Sequence, residues 1–232
     1  MVTPLMATRT SPSFARLLAT HRIVLGSKST SRQTILRELG LPFDCLPADI
    51  DEKAIRHSDP AELVTAIADA KADALKARLK ATPGLLPPSD KTALLITSDQ
   101  VVVHKNIILE KPESAQQAAS FIRGYSNSQA STVGALIVTN LASGKVCRGL
   151  DLATIFFSAI PEDTVAALVK EGGCMHAAGG LIVEHPLVTP CVERIEGTID
   201  SVQGMGKMLI LRLLMDASSL SQDMLPADLV HL

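Results

Sequence analysis

The stretch from Ile23 to Arg32, Ile-Val-Leu-Gly-Ser-Lys-Ser-Thr-Ser-Arg, constrains this chain more than any other. A short apolar run gives way to small and hydroxylated residues. Ile35, Leu36 and Leu39 then recur at helical spacing, closed by Gly40. The pattern predicts a strand, a tight loop and a helix N-terminus. Free backbone N–H groups and the positive end of a helix dipole make such a place a ready anion site. Ser27, Ser29 and Ser31 add hydroxyl donors, while Lys28 and Arg32 add charge. The same residues would equally serve as a plain helix cap at Ser29 or Thr30, so the rest of the chain has to decide between the two.

Further along, Phe43–Leu46 reads as a short strand leading into the acidic turn Ala48-Asp49-Ile50-Asp51-Glu52. Leu63, Ile67, Ala70 and Ala74 mark a long helix over 60–80, and the Pro-rich segment 82–91 is a loop. Residues 93–97 form a buried-type strand ending at Ser98-Asp99-Gln100. Residues 101–103 and 107–109 flank His104-Lys105-Asn106 as a hairpin. A helix is expected over 113–123. A long hairpin follows over 130–160, turning at Ala142-Ser143-Gly144. Then come a helix over 161–171, short strands at 181–183 and 192–195, and a last helix over 201–215. Strands and helices alternate in the first half and a hairpin dominates the second, so the fold class is α/β with a mixed sheet. The expected organisation is an N-terminal extension over 1–20, disordered; one α/β domain over 21–215; and a C-terminal tail over 216–232.

Several function classes fall away on composition. No Trp, one Tyr and five Phe leave little with which to stack single-stranded nucleic acid. A net charge of −2 without a basic block argues against a stable nucleic-acid complex. No apolar run is long enough to cross a membrane. Cys45, Cys147, Cys174 and Cys191 include no close pair, so no zinc or CxxC redox site is suggested. They read as reduced, mostly buried thiols, and the protein as cytoplasmic. The first 37 residues lack Asp and Glu but carry Arg9, Arg16 and Arg22, the composition of an organellar transit peptide, which is the alternative location. Neither Gly-x-Gly-x-x-Gly nor a Walker sequence is present, and no Gly-x-Ser-x-Gly elbow supports a Ser nucleophile.

What remains is a set of polar clusters at element ends: Ser27–Arg32, Asp49 with Asp51 and Glu52, Ser98-Asp99-Gln100, Glu110-Lys111-Pro112, and Lys71 within a small-residue stretch. Carboxylates opposite Lys and Arg suit phosphoryl transfer. The former hold a divalent metal and the latter neutralise phosphate charge. Singly, each has an ordinary reading as a solvated turn, a cap or a surface lysine.

In order, these residues resemble the Maf-type nucleotide pyrophosphatases. That family's Leu-Ala-Ser-x-Ser-Pro-Arg-Arg loop is similar to Leu25-Gly26-Ser27-Lys28-Ser29-Thr30-Ser31-Arg32. Its Asp-Glu, Lys-Ala, strand-end Asp and Lys-Pro are matched by Asp51-Glu52, Lys71-Ala72, Asp99-Gln100 and Lys111-Pro112. Ala178-Gly179 with Glu184, and Gly197 through Gly204, complete the series between about residues 22 and 214. The resemblance implies a Maf/inosine-triphosphatase-like fold, a mixed twisted sheet flanked by helices with a cleft between two lobes. It also implies hydrolysis of a nucleoside triphosphate to monophosphate and pyrophosphate, Mg²⁺ or Mn²⁺ as cofactor, and a homodimer. By carry-over Asp99 is the base or a metal ligand, Glu52 a metal ligand, and Lys111 catalytic. Ser27, Ser29, Ser31, Arg32, Lys71, Gln100 and Glu184 bind substrate. Thr30, Ser31 and Ser201 depart from the family's Pro, Arg and Asn. Of the three positions that sort substrates, Gln100 and Glu184 fit the branch acting on 7-methyl-GTP, whereas Ser31 supplies neither the Trp of that branch nor the Arg of the dTTP/UTP branch.

Overall fold

A computed structural model describes residues 12–220. In chain order the elements are α1 (Pro12–Thr20), β1 (His21–Leu25), α2 (Thr30–Glu38), β2 (Phe43–Cys45), α3 (Pro60–Ala81), β3 (Thr92–His104), β4 (Ile107–Leu109) and α4 (Ala115–Tyr125). They continue with β5 (Gln129–Asn140), β6 (Val146–Phe157), α5 (Glu162–Glu171), β7 (Val192–Glu196), α6 (Ile199–Val202) and α7 (Lys207–Ser218). The seven strands form one mixed sheet in the order β2-β1-β3-β5-β6-β7, with β4 paired to β3. β1 runs parallel to β2 and β3, and all other pairings are antiparallel. The α/β class and mixed sheet expected from the sequence are therefore present.

Alternation along the central strands sends neighbouring side chains to opposite layers. Leu94 and Ile96 of β3 pack with Ile35 and Leu36 of α2 and with Ile210 and Leu214 of α7. Val101 packs against Leu63, Val64 and Ile67 of α3 on the other face, and Leu95 against Leu75 further along that helix. β5 lies between both layers and is buried over nearly its whole length. A third cluster joins α4, α5, β6 and the far end of β3 around Tyr125 and Phe157, forming a second lobe. Each fully buried Leu, Ile or Phe contributes about 1.5–3 kcal/mol, so the lobes are held by separate cores bridged by the long strands β3, β5 and β6.

Five differences from the sequence reading have identifiable causes. Residues 12–20 are the helix α1 rather than disordered extension, because Phe14 and Leu17 bury against the α7 core. The strand read as ending before Asp99 runs on unbroken to His104, since β5 pairs with it from Leu94 to Val103. Residues 181–183 are not a strand; Gly179 and Gly180, at φ +60° and +64°, turn the chain instead. The helix over 201–215 is two helices, separated where Gly204 takes φ +105°. The tail begins later than residue 216: α7 continues to Ser218, and Ala217 is buried with its carbonyl accepting from Asn140 Nδ2 at 3.1 Å. Residues 221–232 of that tail, and 1–11 of the extension, lie outside the described residues. Among the described residues no helix is long and apolar enough to cross a membrane. The hairpin at His104–Ile107 is present, with Lys105 and Asn106 both at positive φ as a tight antiparallel turn requires.

Candidate active site

A gap in the sheet makes the site. β1 gives its last parallel pairing at Leu25↔Ile96, extended by Gly26 N–H donating to the Ile96 carbonyl at 2.7 Å. On that same edge of β3, β4 pairs only from Val102 onward. Between them, residues 97–101 keep β5 on one side, and Asp99, Gln100 and Val101 line a cleft of about 1070 Å³. With the edge open, both faces of β3 reach one cavity. Asp99 turns toward α3 and Gln100 toward α6. The ten residues to which the resemblance gives a role all line this cleft, whereas Asp51, Ser98 and Pro112 of the polar clusters do not.

The loop after β1 folds as its hydroxyl groups dictate. Ser29 is the N-cap of α2, its hydroxyl accepting the Arg32 N–H at 3.4 Å. Ser27 Oγ accepts from the Ser29 N–H at 3.2 Å and from Arg32 Nη1 at 3.2 Å. The N–H groups of Thr30 and Ser31 belong to the helix's first turn, where no intrahelical partner exists. Arg32 is buried, and its Nε donates to the Gly204 carbonyl at 3.0 Å. Burial lowers its pKa, although Asp99, Glu52 and Asp151 pull the other way. Its Nη2 has no partner among the described residues, so it is the part of the fork left for an anion.

On the opposite face of β3, Lys71 of α3 lies between two carboxylates. Its Nζ is 2.7 Å from Asp99 Oδ1 and 2.9 Å from Glu52 Oε1, and it donates to the Ser98 carbonyl at 3.3 Å. The Lys71 and Asp99 side chains are only 10% and 12% exposed, against 46% for Glu52. Burial therefore pushes Asp99 above the ordinary carboxylate range, outweighing Lys71 and Arg32, with Glu52 adding to the rise. Glu52 is also pulled up by burial, but the hydrogen bond and charge of Lys71, with Lys111 and Arg32 beyond, leave it below its ordinary value. Two carboxylates facing one ammonium thus carry opposite shifts. Glu52 itself sits in a short 3₁₀ turn, Glu52–Ala54, started by Asp51, whose Oδ1 accepts the Lys53 N–H.

The far wall comes from the second lobe. Gly179 N–H donates to the Glu110 carbonyl at 2.9 Å, and Tyr125 Oη donates to the Gly179 carbonyl at 2.7 Å. A Cβ at Gly179 would stand 2.5 Å from that hydroxyl, so only glycine fits. These bonds tie the segment carrying Glu184 to the loop carrying Lys111, and both side chains are exposed to the cleft. Arg56 and Lys53, not singled out from the sequence, also line it, paired to Glu110 and Glu113. Two buried carboxylates behind the site were missed as well: Asp151 on β6 and Asp200 on α6. The first is marked in the sequence only as an acid flanked by Leu150 and Leu152, in a strand that also holds Arg148 and Thr154.

Glu52 and Asp99 offer the hard oxygen donors that Mg²⁺ or Mn²⁺ takes, and no group of three or more His, Cys, Asp or Glu residues clusters among the described residues. Mg²⁺ is commonly held by one or two carboxylates and completed by substrate phosphates, so this donor set fits such an ion.

Comparison with known proteins shows the family. The family model described as "Maf-like protein" matches residues 22–217. The 7-methyl-GTP pyrophosphatase of Dictyostelium discoideum is 38% identical over 201 residues, covering 87% of this chain and 100% of that protein. A dTTP/UTP pyrophosphatase of Chlamydia trachomatis serovar D is 30% identical over 204 residues, 84% of this chain and 93% of that one. A nucleoside triphosphate pyrophosphatase of Streptomyces coelicolor is 30% identical over 196 residues, 84% and 90% respectively.

Proposed function

We propose a reaction for this chain, which belongs to the Maf-like protein family: water attacks the α-phosphorus of a nucleoside triphosphate, the α–β anhydride bond breaks, and nucleoside monophosphate and pyrophosphate leave. The observation that carries it is the Glu52–Lys71–Asp99 cluster opening onto the same cleft as the N-terminus of α2.

Asp99 is the general base. Its carboxylate takes a proton from the attacking water, and burial has raised its proton affinity toward that task. Lys71, 2.7 Å away, keeps that carboxylate ionised and aimed. Arg32 through Nη2, Lys28, Lys111 and the first N–H groups of α2 receive phosphate oxygens. The pyrophosphate leaving group gains charge as the bond breaks, and these fixed donors stabilise it where it forms. Glu52 and Asp99 are the residues that would hold a divalent ion. When bound, it neutralises phosphate charge and polarises the phosphoryl oxygens.

The nucleotide class we propose is 7-methyl-GTP or a related modified purine nucleotide. Glu184 supplies a carboxylate for the N1–H and N2–H₂ edge of guanine and for the positive charge of a methylated ring. Gln100 donates its Nε2 to the Ser201 and Val202 carbonyls at 2.9 and 3.3 Å, leaving Oε1 as its unused polar atom. The relative at 38% identity bears the matching name.

Pyrophosphate release from 7-methyl-GTP, GTP, dTTP, UTP and CTP with Mg²⁺ or Mn²⁺ tests this directly. Expected is a kcat/KM for 7-methyl-GTP at least about tenfold above that for UTP, the scale of one hydrogen bond to a charged group. A preference for dTTP and UTP overturns the nucleotide class. Silence across the panel with both metals overturns the reaction.

A further inference from the structure

β6 is inside out at one point. Leu150 and Leu152 are 48% and 59% exposed, while Asp151 between them is buried at 7%. A carboxylate on the inward position of a strand costs free energy unless it has partners. Its partners lie in the turn between α6 and α7. Asp151 Oδ2 accepts the Gly206 N–H at 2.5 Å, and the Ser201 hydroxyl favours the charged form of the same carboxylate. Asp200, also buried, accepts the Lys207 N–H from the other side of the same turn. The approach is close enough that a Cβ on Gly206 would meet Asp151 Oδ1 and Ser201 Oγ, each at 2.9 Å.

The pinned turn is what the cleft leans on. Its Gly204 carbonyl accepts Arg32 Nε at 3.0 Å, and its Ser201 and Val202 carbonyls accept Gln100 Nε2. Gly204 stands at φ +105°, and a Cβ there would sit 3.0 Å from Gln100 Oε1 and 3.3 Å from Arg32 Nε. One turn therefore touches both the guanidinium on the phosphate side and the amide on the base side of the cleft. We propose that Asp151, seconded by Asp200, is a positioning residue that fixes the 201–206 turn and so sets Arg32 and Gln100 together, making nucleotide affinity and base selectivity depend on one buried carboxylate. This rests on the reading of Arg32 as a phosphate ligand and Gln100 as a base contact.

The test is calorimetric titration with non-hydrolysable analogues of 7-methyl-GTP and UTP, alongside thermal melts, for wild type, Asp151→Leu and Asp151→Asn. Asp151→Leu removes the acceptor. It should weaken both analogues by about tenfold and narrow their affinity ratio by about fivefold, magnitudes on the order of one or two lost hydrogen bonds. Asp151→Asn keeps a carbonyl oxygen for the Gly206 N–H and should restore most of both. A purely structural role would lower Tm but leave the dissociation constants and their ratio of the folded fraction within twofold of wild type, and that result overturns the proposal. Should Asp151→Leu fail to fold, Gly206→Ala, which pushes a methyl group against the carboxylate, must show the same paired loss, and unchanged constants there overturn it. Because the readout is binding, an inactive wild type would sink the hydrolase reading and still leave this one to be judged; absence of binding by wild type sinks both.

Discussion

On the α3 side of β3, Lys71 Nζ stands within 2.9 Å of two carboxylates. On the α2 side, Arg32 and Gln100 are held by main-chain carbonyls of Gly204, Ser201 and Val202 and touch no carboxylate directly. Burial and ion pairing together set proton affinity on the first side, burial raising that of Asp99 and the Lys71 ammonium restraining the rise. Backbone contact governs the second and leaves the guanidinium charge largely uncompensated at close range, which is what an anion needs. Two adjacent residues of one strand, Asp99 and Gln100, thus serve two kinds of site, and the pleat alone separates them.

If that division is right, Asp99→Asn should give the largest effect. Loss of the proton acceptor should lower kcat by about 10²- to 10⁴-fold, measured by steady-state kinetics. Equal activity in the variant would remove Asp99 from the role of base. Next in size is Lys71→Met. Lys71 lowers the pKa of Asp99, which burial has already raised. Without the ammonium the pKa climbs further, so the carboxylate is ionised only at higher pH. The acid limb of the kcat/KM profile should move upward, with activity at pH values below the displaced limb down about tenfold for each unit of displacement. A limb that stays in place would detach Lys71 from the base. The smallest effect belongs to the α2 side. Ser27→Ala removes the oxygen that accepts from Arg32 Nη1 and Ser29 N–H. A net loss of about 1 kcal/mol, or some fivefold in KM, is expected with kcat unchanged. A shift of the pH limb in Ser27→Ala would blur the distinction between the two faces.

The strand–loop–helix at Ile23–Arg32 was legible because its periodicity, its cap and its hydroxyl cluster are all local. The same holds for the hairpin at His104–Ile107, where two residues fix the turn. Asp99 misled because Ser-Asp-Gln looks like a strand end, and only the long-range pairing with β5 carries the strand through it. The break in the last helix was hidden because Gly204 and Gly206 are tolerated in a helical pattern until tertiary contacts claim them. Asp151 escaped notice for a related reason. A single acid in a strand is read as an outward residue, and its inward position follows from a turn about fifty residues later, which no local pattern contains.

Arg32 and the carbonyl that orients it are 172 residues apart in the chain. During synthesis, chains emerge N-terminus first at about 5–20 residues per second. A nascent chain that has reached Glu196 already carries every charged group lining the cleft, yet has no Gly204 with which to aim its guanidinium. Competence toward nucleotide is therefore among the last properties the growing chain acquires. A prematurely released fragment would keep the charges of the cleft and lack their alignment.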